Sequence, residues 1–313
     1  MKTRPFFSLI WLLFLLVSLS ANAQTDKGKT MKHPLKRIVI DPGHGGPSAI
    51  AGKFYGASGK KMEEKDVALA IGLKLRDVIN AEMPDVEVIM TRTTDEFNSP
   101  IVKANKANAA KGDLFISIHC NDVSPIRHTE ITGYTTKTIK RKGKKVKKKI
   151  PEYRTWYTPN PAMGTETYIW GVGKTKDKEE ALMENNFTDT AMLVVDGFDN
   201  NPAMKMINTM RTQEYANRSR KLAETVEDEF VRSGRVSRGA KQRDEKGIWV
   251  LQAVAMPAIL IEVGFLSRAE EEELITSEEG QQQTAEAIVR ALKRYRVSLE
   301  AQVNGTALPA GSK

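Results

Sequence analysis

The chain predicts an α/β fold: a mixed, mostly parallel sheet flanked by helices, with an inserted hairpin and helical segment after the third strand. Three observations carry this. Between residues 38 and 122, short apolar runs alternate with amphipathic stretches in the order strand, helix, strand, helix, strand, the rhythm of strands joined by helical crossovers. The runs Ile38–Ile40 and Leu114–Ile118 are short and apolar rather than alternating, as buried strands are. From Val123 to about Pro161 the rhythm breaks, then resumes with further strands and long helices.

The first segment stands outside this fold. Met1 to Pro5 carries Lys2 and Arg4, Phe6 to Leu19 is an almost unbroken apolar run, and Ala21-Asn22-Ala23 has a small-x-small pattern. These are the three parts of a secretory signal peptide, so 1–23 is expected to be removed before Gln24. The apolar run is short for a membrane span. The expected product is exported, periplasmic or extracellular, with no stable membrane span after cleavage. The 24–35 segment is polar and reads as a flexible leader.

The full chain of 313 residues, 40% hydrophobic and 28% charged, has a globular composition. It holds one cysteine, Cys120, so no internal disulfide can form. Cys120 lies in an apolar strand and reads as a small buried residue rather than a nucleophile. The net charge of +9 is local in origin. Nine basic residues and no acidic ones lie between Lys137 and Ile150, so the domain as a whole does not read as a nucleic-acid binder.

Within an expected catalytic domain at 36–297, the elements follow in order. Ile38–Ile40 is a strand stopped by Asp41-Pro42-Gly43, and the next stretch to Lys61 is glycine-rich and irregular. Its glycines match neither phosphate-loop spacing. Glu63 to Ala81 forms a helix with Ala68, Ile71, Leu75 and Val78 on one face and acidic residues in its first turn. Val86 to Arg92 is a strand, Ser99 to Ala110 a helix and Leu114 to Ile118 a strand. In the basic insertion, 123–163, Thr132–Ile139 and Val146–Trp156 pair as a long hairpin. Gly164–Trp170 returns to the core. Lys178–Asn186 reads as a helix and 187–206 as irregular, and 171–206 is a candidate regulatory segment because it far exceeds what a sheet connection needs. A long helix spans 207–233, strands occupy Ile248–Leu251 and Ala258–Val263, and helices occupy 269–275 and 278–295. The 298–313 stretch reads as a loose tail.

Three groups should meet at the carboxyl edge of the sheet, where α/β folds bind ligands. His44 follows the first strand, His119 ends the strand at 114–118, and Glu262 lies near the end of Ala258–Val263. Glu64 opens the helix after the glycine-rich loop, at the end facing the same edge. His44, Glu64 and His119 supply two imidazoles and a carboxylate. That set suits Zn2+ and leaves a fourth position for water. Glu262, set among apolar residues, is costly to bury without a partner and stays free to move a proton. His33, in the leader, and His128, in the insertion, fall outside this group.

Four blocks together resemble the zinc-dependent N-acetylmuramoyl-L-alanine amidases of the Amidase_3 type: Ile38-Val-Ile-Asp-Pro-Gly-His-Gly-Gly46, Glu64-Lys65, Ser117-Ile-His-Cys-Asn121 and Ile261-Glu-Val-Gly-Phe-Leu-Ser267. The resemblance covers about Lys36 to Tyr295, interrupted by the insertion. It implies that His44, Glu64 and His119 bind zinc and that Glu262 is the catalytic glutamate. Cys120 departs from the small residue common in the family. The implied substrate is peptidoglycan, cut at the amide between N-acetylmuramic acid and L-alanine of the stem peptide, in wall remodelling and daughter-cell separation. An activator protein acting on the inserted segment is the implied partner. Two other readings stay open: a catalytically silent or regulatory peptidoglycan-binding protein, and a zinc peptidase cutting within the stem peptide.

Overall fold

Ile38, Val39 and Ile40 are fully buried, and the strand they build, β1 (Arg37–Pro42), lies inside the sheet rather than at its edge. The computed structural model describes residues 34–304 apart from 48, 51–52, 55, 142–143, 172–177, 179–201 and 244–247. After β1, a two-residue antiparallel pair, β2 (Ala49–Ile50) and β3 (Lys53–Phe54), sits in the glycine-rich loop. The crossover helix α1 (Glu64–Glu82) follows and buries Val67, Ala68, Ile71, Leu75, Val78 and Ile79 at helical spacing. Then come β4 (Glu87–Met90), α2 (Pro100–Ala109) and β5 (Leu114–Asn121). Ser99 caps α2, its hydroxyl accepting from Val102 N, with Pro100 at the first helical position.

The insertion forms β6 (Ile126–Arg141) and β7 (Lys144–Thr158), an antiparallel pair with a bulge between Ile131 and Gly133. The core resumes with β8 (Thr165–Ile169), α3 (Pro202–Arg232), β9 (Ser237–Gln242), α4 (Trp249–Ala253), β10 (Ala258–Phe265), α5 (Ala269–Thr276) and α6 (Glu278–Asn304). The main sheet has six strands in the order β4-β1-β5-β10-β8-β9. All its pairings are parallel except β10 with β8. The expected mixed, mostly parallel sheet is therefore present.

Strand parity divides the sheet into two unequal faces. Ile38 and Ile40, Leu114, Ile116 and Ile118, and Ile259, Ile261 and Val263 point to the face packed by α1, α3 and α6. Val39, Phe115, Ala258 and Leu260 point to the other, covered by the short helices α2 and α4. By the same alternation His119 and Glu262 stand on this second, thinly covered face. There the carboxyl end of the sheet stays open.

Three local expectations are corrected. Ile248–Leu251 is not a strand: Ile248 is the N-cap of α4, and its carbonyl accepts from Leu251 N and Gln252 N. A four-residue apolar run has no period long enough to separate strand from helix, and burial of Val250 and Leu251 in the second core decides it. The edge strand β9 was absent from the sequence reading, because Ser-Arg-Gly-Ala-Lys-Gln carries no β-branched residue. It forms through pairing with β8 and through bonds from Arg238 and Lys241 to Glu166 and from Ser237 to Glu227. Finally, α6 runs to Asn304, past the 297 boundary, because Leu299 and Ala301 are buried. The long helix expected from 207 likewise begins at Pro202.

The signal segment, most of the leader, the helix expected at 178–186 beyond Lys178, the irregular stretch to 201 and the tail after Asn304 lie outside the described residues. Among the described residues no helix is long and apolar enough to cross a membrane.

Candidate metal centre

β1 ends at Pro42, and the chain turns sharply enough that His44 adopts a left-handed backbone, with φ of 55°. Gly43 makes the turn possible. A Cβ there would lie 2.6 Å from His119 Cε1 and 2.7 Å from Ile118 O, so the two histidine-bearing segments approach only because residue 43 has no side chain. The imidazoles then stand edge to face, their centroids 4.8 Å apart at 78°.

Glu64 closes the group. Its Oε1 lies 3.0 Å from His44 Nε2 and 2.9 Å from His119 Nδ1, and accepts from Cys120 N at 3.1 Å. Its Oε2 accepts from Ala57 N at 2.7 Å. The donor atoms of His44, Glu64 and His119 all lie within 4.8 Å of one another. The structure brings the three ligand candidates together, and Glu64 rather than its neighbour lies between the imidazoles: Glu63 is the helix N-cap, with Lys65 Nζ 3.5 Å from its carboxylate.

The electrostatics favour a cation here. Burial by itself would raise the Glu64 carboxyl, but hydrogen bonds and charge from His119 and His44 outweigh it and hold the group well below the usual carboxylate range. Burial pulls His119 down from its ordinary value despite the carboxylate beside it, which keeps the imidazole neutral and able to ligate. Cys120, one residue on, is driven the other way: its buried thiol is pushed well above its ordinary value by desolvation and by Glu64 and Glu262, so it is no nucleophile. The donor set fits a divalent ion. Tetrahedral zinc with bonds of about 2.0–2.1 Å needs its donors roughly 3.3 Å apart, and the two Glu64–His contacts are within a few tenths of an ångström of that.

Glu262 pairs in register with His119 across β10 and β5. Its Oε2 is buried and has no hydrogen-bond partner among the described residues. Burial first, then the nearby Glu64 charge, pushes its pKa up to about 8, against an opposing pull from Arg243. Beside the site, a cleft of about 170 Å³ is lined by His44, His119, Asn98, Lys103, Trp249 and Leu260 among others. Trp249, on α4, is half exposed at its mouth.

Several supporting residues escaped the sequence reading. Arg92 is buried and bridges four carbonyls: Nε donates to Pro42 O at 3.1 Å, Nη2 to Gly43 O and Lys65 O at 2.7 Å each, and Nη1 to Thr94 O at 3.1 Å. It thus ties the His44 turn to the first turn of α1 that carries Glu64. Lys65 continues the clamp, with Nζ 2.9 Å from Gly46 O and 2.6 Å from Asp95 Oδ2. Asp41 is buried and accepts from Thr91 and Ser117, with Lys103 Nζ at 2.9 Å. An Arg in a Thr-Arg-Thr stretch after a strand carries no signal of this role. His128 is elsewhere, stacked on Trp156 in the hairpin and bonded to Thr158.

A family model described as N-acetylmuramoyl-L-alanine amidase (Amidase_3) matches residues 38–294. Over 279 residues the chain is 29% identical to N-acetylmuramoyl-L-alanine amidase AmiC of Neisseria meningitidis, a match covering 87% of this chain and 55% of that protein. It is 29% identical over 259 residues to AmiC of Escherichia coli, covering 82% of this chain and 52% of that one. The chain thus spans about half the length of these relatives. Among solved structures it resembles the N-acetylmuramoyl-L-alanine amidase from Clostridium difficile 630, with a TM-score of 0.50 and 26% identity over 84% of this chain and 97% of that one.

Proposed function

The chain belongs to the Amidase_3 family of N-acetylmuramoyl-L-alanine amidases, and from that premise we propose that it is a zinc-dependent peptidoglycan amidase. The bond cut is the amide between N-acetylmuramic acid and L-alanine of the stem peptide, in the service of wall remodelling and daughter-cell separation. His44, Glu64 and His119 hold the metal. The chemistry zinc supplies when bound is polarisation of a carbonyl and acidification of water to a pKa of about 7.

The observation that carries the reading is Glu262. Its Oε2 is buried with no hydrogen-bond partner among the described residues, in register with a metal-ligand candidate, and its pKa is pushed up to about 8. A carboxyl whose pKa lies this near the operating pH can, once ionised, take a proton from attacking water and return it to the leaving nitrogen. Glu262 is the catalytic residue in this scheme. Arg92, Lys65 and Asp41 are positioning residues, and the cleft bordered by Trp249 and Lys103 receives the substrate. A silent binding protein has no use for a carboxylate kept at this cost.

The protein acts outside the cytoplasm after removal of 1–23. Segment 171–206 controls access, and an activator protein acts there. One described residue supports that placement. Lys178 is buried, donates to Leu251 O at 2.8 Å and Met256 O at 2.9 Å, and lies over the Trp170 ring. Residue 178 is thereby joined to α4, which carries Trp249 at the cleft.

Digestion of purified sacculi by the mature chain tests the reading. Free stem peptides beside intact glycan strands, lost on chelation and restored by zinc, are the expected products. Fragments cut within the stem peptide would convert the assignment to a peptidase, and no product in the presence of zinc from a chain also lacking 171–206 would overturn it.

A further inference from the structure

The ribbon formed by β6 and β7 has no role in the site described above, yet it is a long exposed feature of the described residues. It shares no substantial packing with any other element among the described residues. An isolated two-stranded hairpin has little to hold it against water, and exposed apolar side chains on one call for a partner. Strands of 16 and 15 residues carry it about 50 Å outward at roughly 3.3 Å per residue.

Its side chains are sorted along its length. On β7, Tyr157, Tyr153, Lys149, Lys147 and Lys145 alternate onto one face. That face is aromatic toward the foot, where Arg127 pairs with Tyr157, and bears the lysine series toward the tip. The two tyrosines are 63% and 60% exposed, and the three lysines are exposed throughout. The opposite face repeats the order, with Trp156 near the foot and Lys148 and Lys144 farther out. A ribbon that lies in a lipid interface has one apolar face and one charged face. Here both faces carry aromatics and both carry lysines, so the gradient runs along the ribbon and not across it.

The foot of the ribbon joins the catalytic edge. β6 begins five residues after Asn121, the last residue of β5, and Asn160 Nδ2 beyond β7 donates to Ser124 O before β6. Between this foot, the loop at 58–60 and the start of α5 with the residues before it lies a cavity of about 630 Å³, bordered by Asp122, Pro125, Asn160 and Arg268 among others. A chain-like ligand entering the metal centre at that edge therefore has the ribbon beside it.

We propose that the β6–β7 ribbon is a binding arm for the peptidoglycan polymer, deepening the amidase reading on which it rests. Tyr157 and Tyr153 stack on sugar faces of the glycan near the foot. The lysines toward the tip meet carboxylates of stem peptides that are not being cut, by charge rather than by shape. The arm holds the enzyme on its insoluble substrate while the metal centre works on one linkage.

The test uses the mature chain bearing Glu262→Gln, so that sacculi are bound and not digested. Co-sedimentation with purified sacculi is compared between this chain and two further variants, one with Lys145, Lys147 and Lys149 changed to Ser, the other with Tyr153 and Tyr157 changed to Ser. Melting temperature establishes that each is folded. The lysine variant is expected to bind roughly tenfold more weakly at low salt and to lose most of its salt dependence. The tyrosine variant is expected to bind more weakly with its salt dependence intact. Binding equal to the starting chain in both folded variants would overturn the proposal. So would loss of binding to vesicles of phosphatidylcholine and phosphatidylglycerol with sacculus binding unchanged, which would make the partner a membrane. The amidase reading is judged separately, by whether the chain with Glu262 intact cleaves a soluble muramoyl-peptide in the presence of zinc.

Discussion

Glu262→Gln keeps the shape of the side chain and removes only its titration, so it tests both the burial and the chemistry assigned to the carboxylate. In the metal-free protein the group titrates at about 8 against an ordinary 4.5. The raised value means that the folded state holds the proton longer than the unfolded chain does. Below pH 4.5 both states are protonated and the group contributes nothing. Between 4.5 and 8 the unfolded chain releases the proton while the folded one keeps it, costing about 1.4 kcal/mol of stability per pH unit. Above 8 the loss levels off at about 5 kcal/mol. This is an upper bound, because the residue as a whole is only half-buried although its Oε2 is sealed. Urea unfolding of the chelated proteins across this range checks it: the variant should gain on the parent steadily from about pH 5 to pH 8. In the zinc-loaded enzyme the same variant should keep its metal and lose kcat by roughly 10²–10⁴. A stability difference that stays flat with pH would refute the unpaired burial of Glu262. Undiminished turnover would refute its role as the base.

Two further changes probe the frame of the site. Glu64→Gln keeps an acceptor for only one of Ala57 N and Cys120 N, which bond to different carboxylate oxygens, and removes the charge between the imidazoles. Zinc affinity measured by competition with a chromogenic chelator should fall by more than the roughly 100-fold that losing a supporting partner costs. The depressed Glu64 carboxyl also contributes stability that is present above its ordinary pKa of 4.5 and is lost as the pH falls toward its folded value, so the metal-free variant should lack that acid-side slope. Arg92→Met removes the guanidinium from Gly43 O and Lys65 O, while Pro42 O keeps Lys103 Nζ and Thr94 O keeps Glu96 N. It should lower the unfolding free energy by about 3–5 kcal/mol and weaken zinc binding about 10- to 100-fold, and a variant that melts like the parent would show that water replaces the guanidinium.

How far the site could be read in advance depended on the kind of signal each residue leaves. His44, His119 and Glu262 end strands recognisable from short apolar runs, and the parity of those runs carries the second fact that His119 and Glu262 share a face. Glu64 was legible through its place at the helix end nearest the sheet edge and the Glu64-Lys65 block, since an acidic residue at a helix start is by itself a common and uninformative signal. Arg92 left no such trace, and Asp41 and Lys65 stood in the family blocks without a role: all three act on backbone carbonyls or on polar side chains distant in sequence. β9 and α4 were missed or misassigned for a related reason. Polar Ser237–Gln242 pairs because Glu166 and Glu227 supply partners, and Ile248–Leu251 coils because a core receives Val250 and Leu251.

The sequence by itself determined the alternation of strands and helices, the open carboxyl edge and the donor types that gather there, since hydrophobic periodicity and local turn chemistry are properties of neighbouring residues. Only the tertiary structure decided that one face of the sheet is thickly covered and the other thinly. It also decided that Gly43 must be bare for the two imidazoles to meet, and that Oε2 of Glu262 lies buried without a partner. Those outcomes depend on side chains far apart in the chain excluding water from one another, and that information resides in the packing.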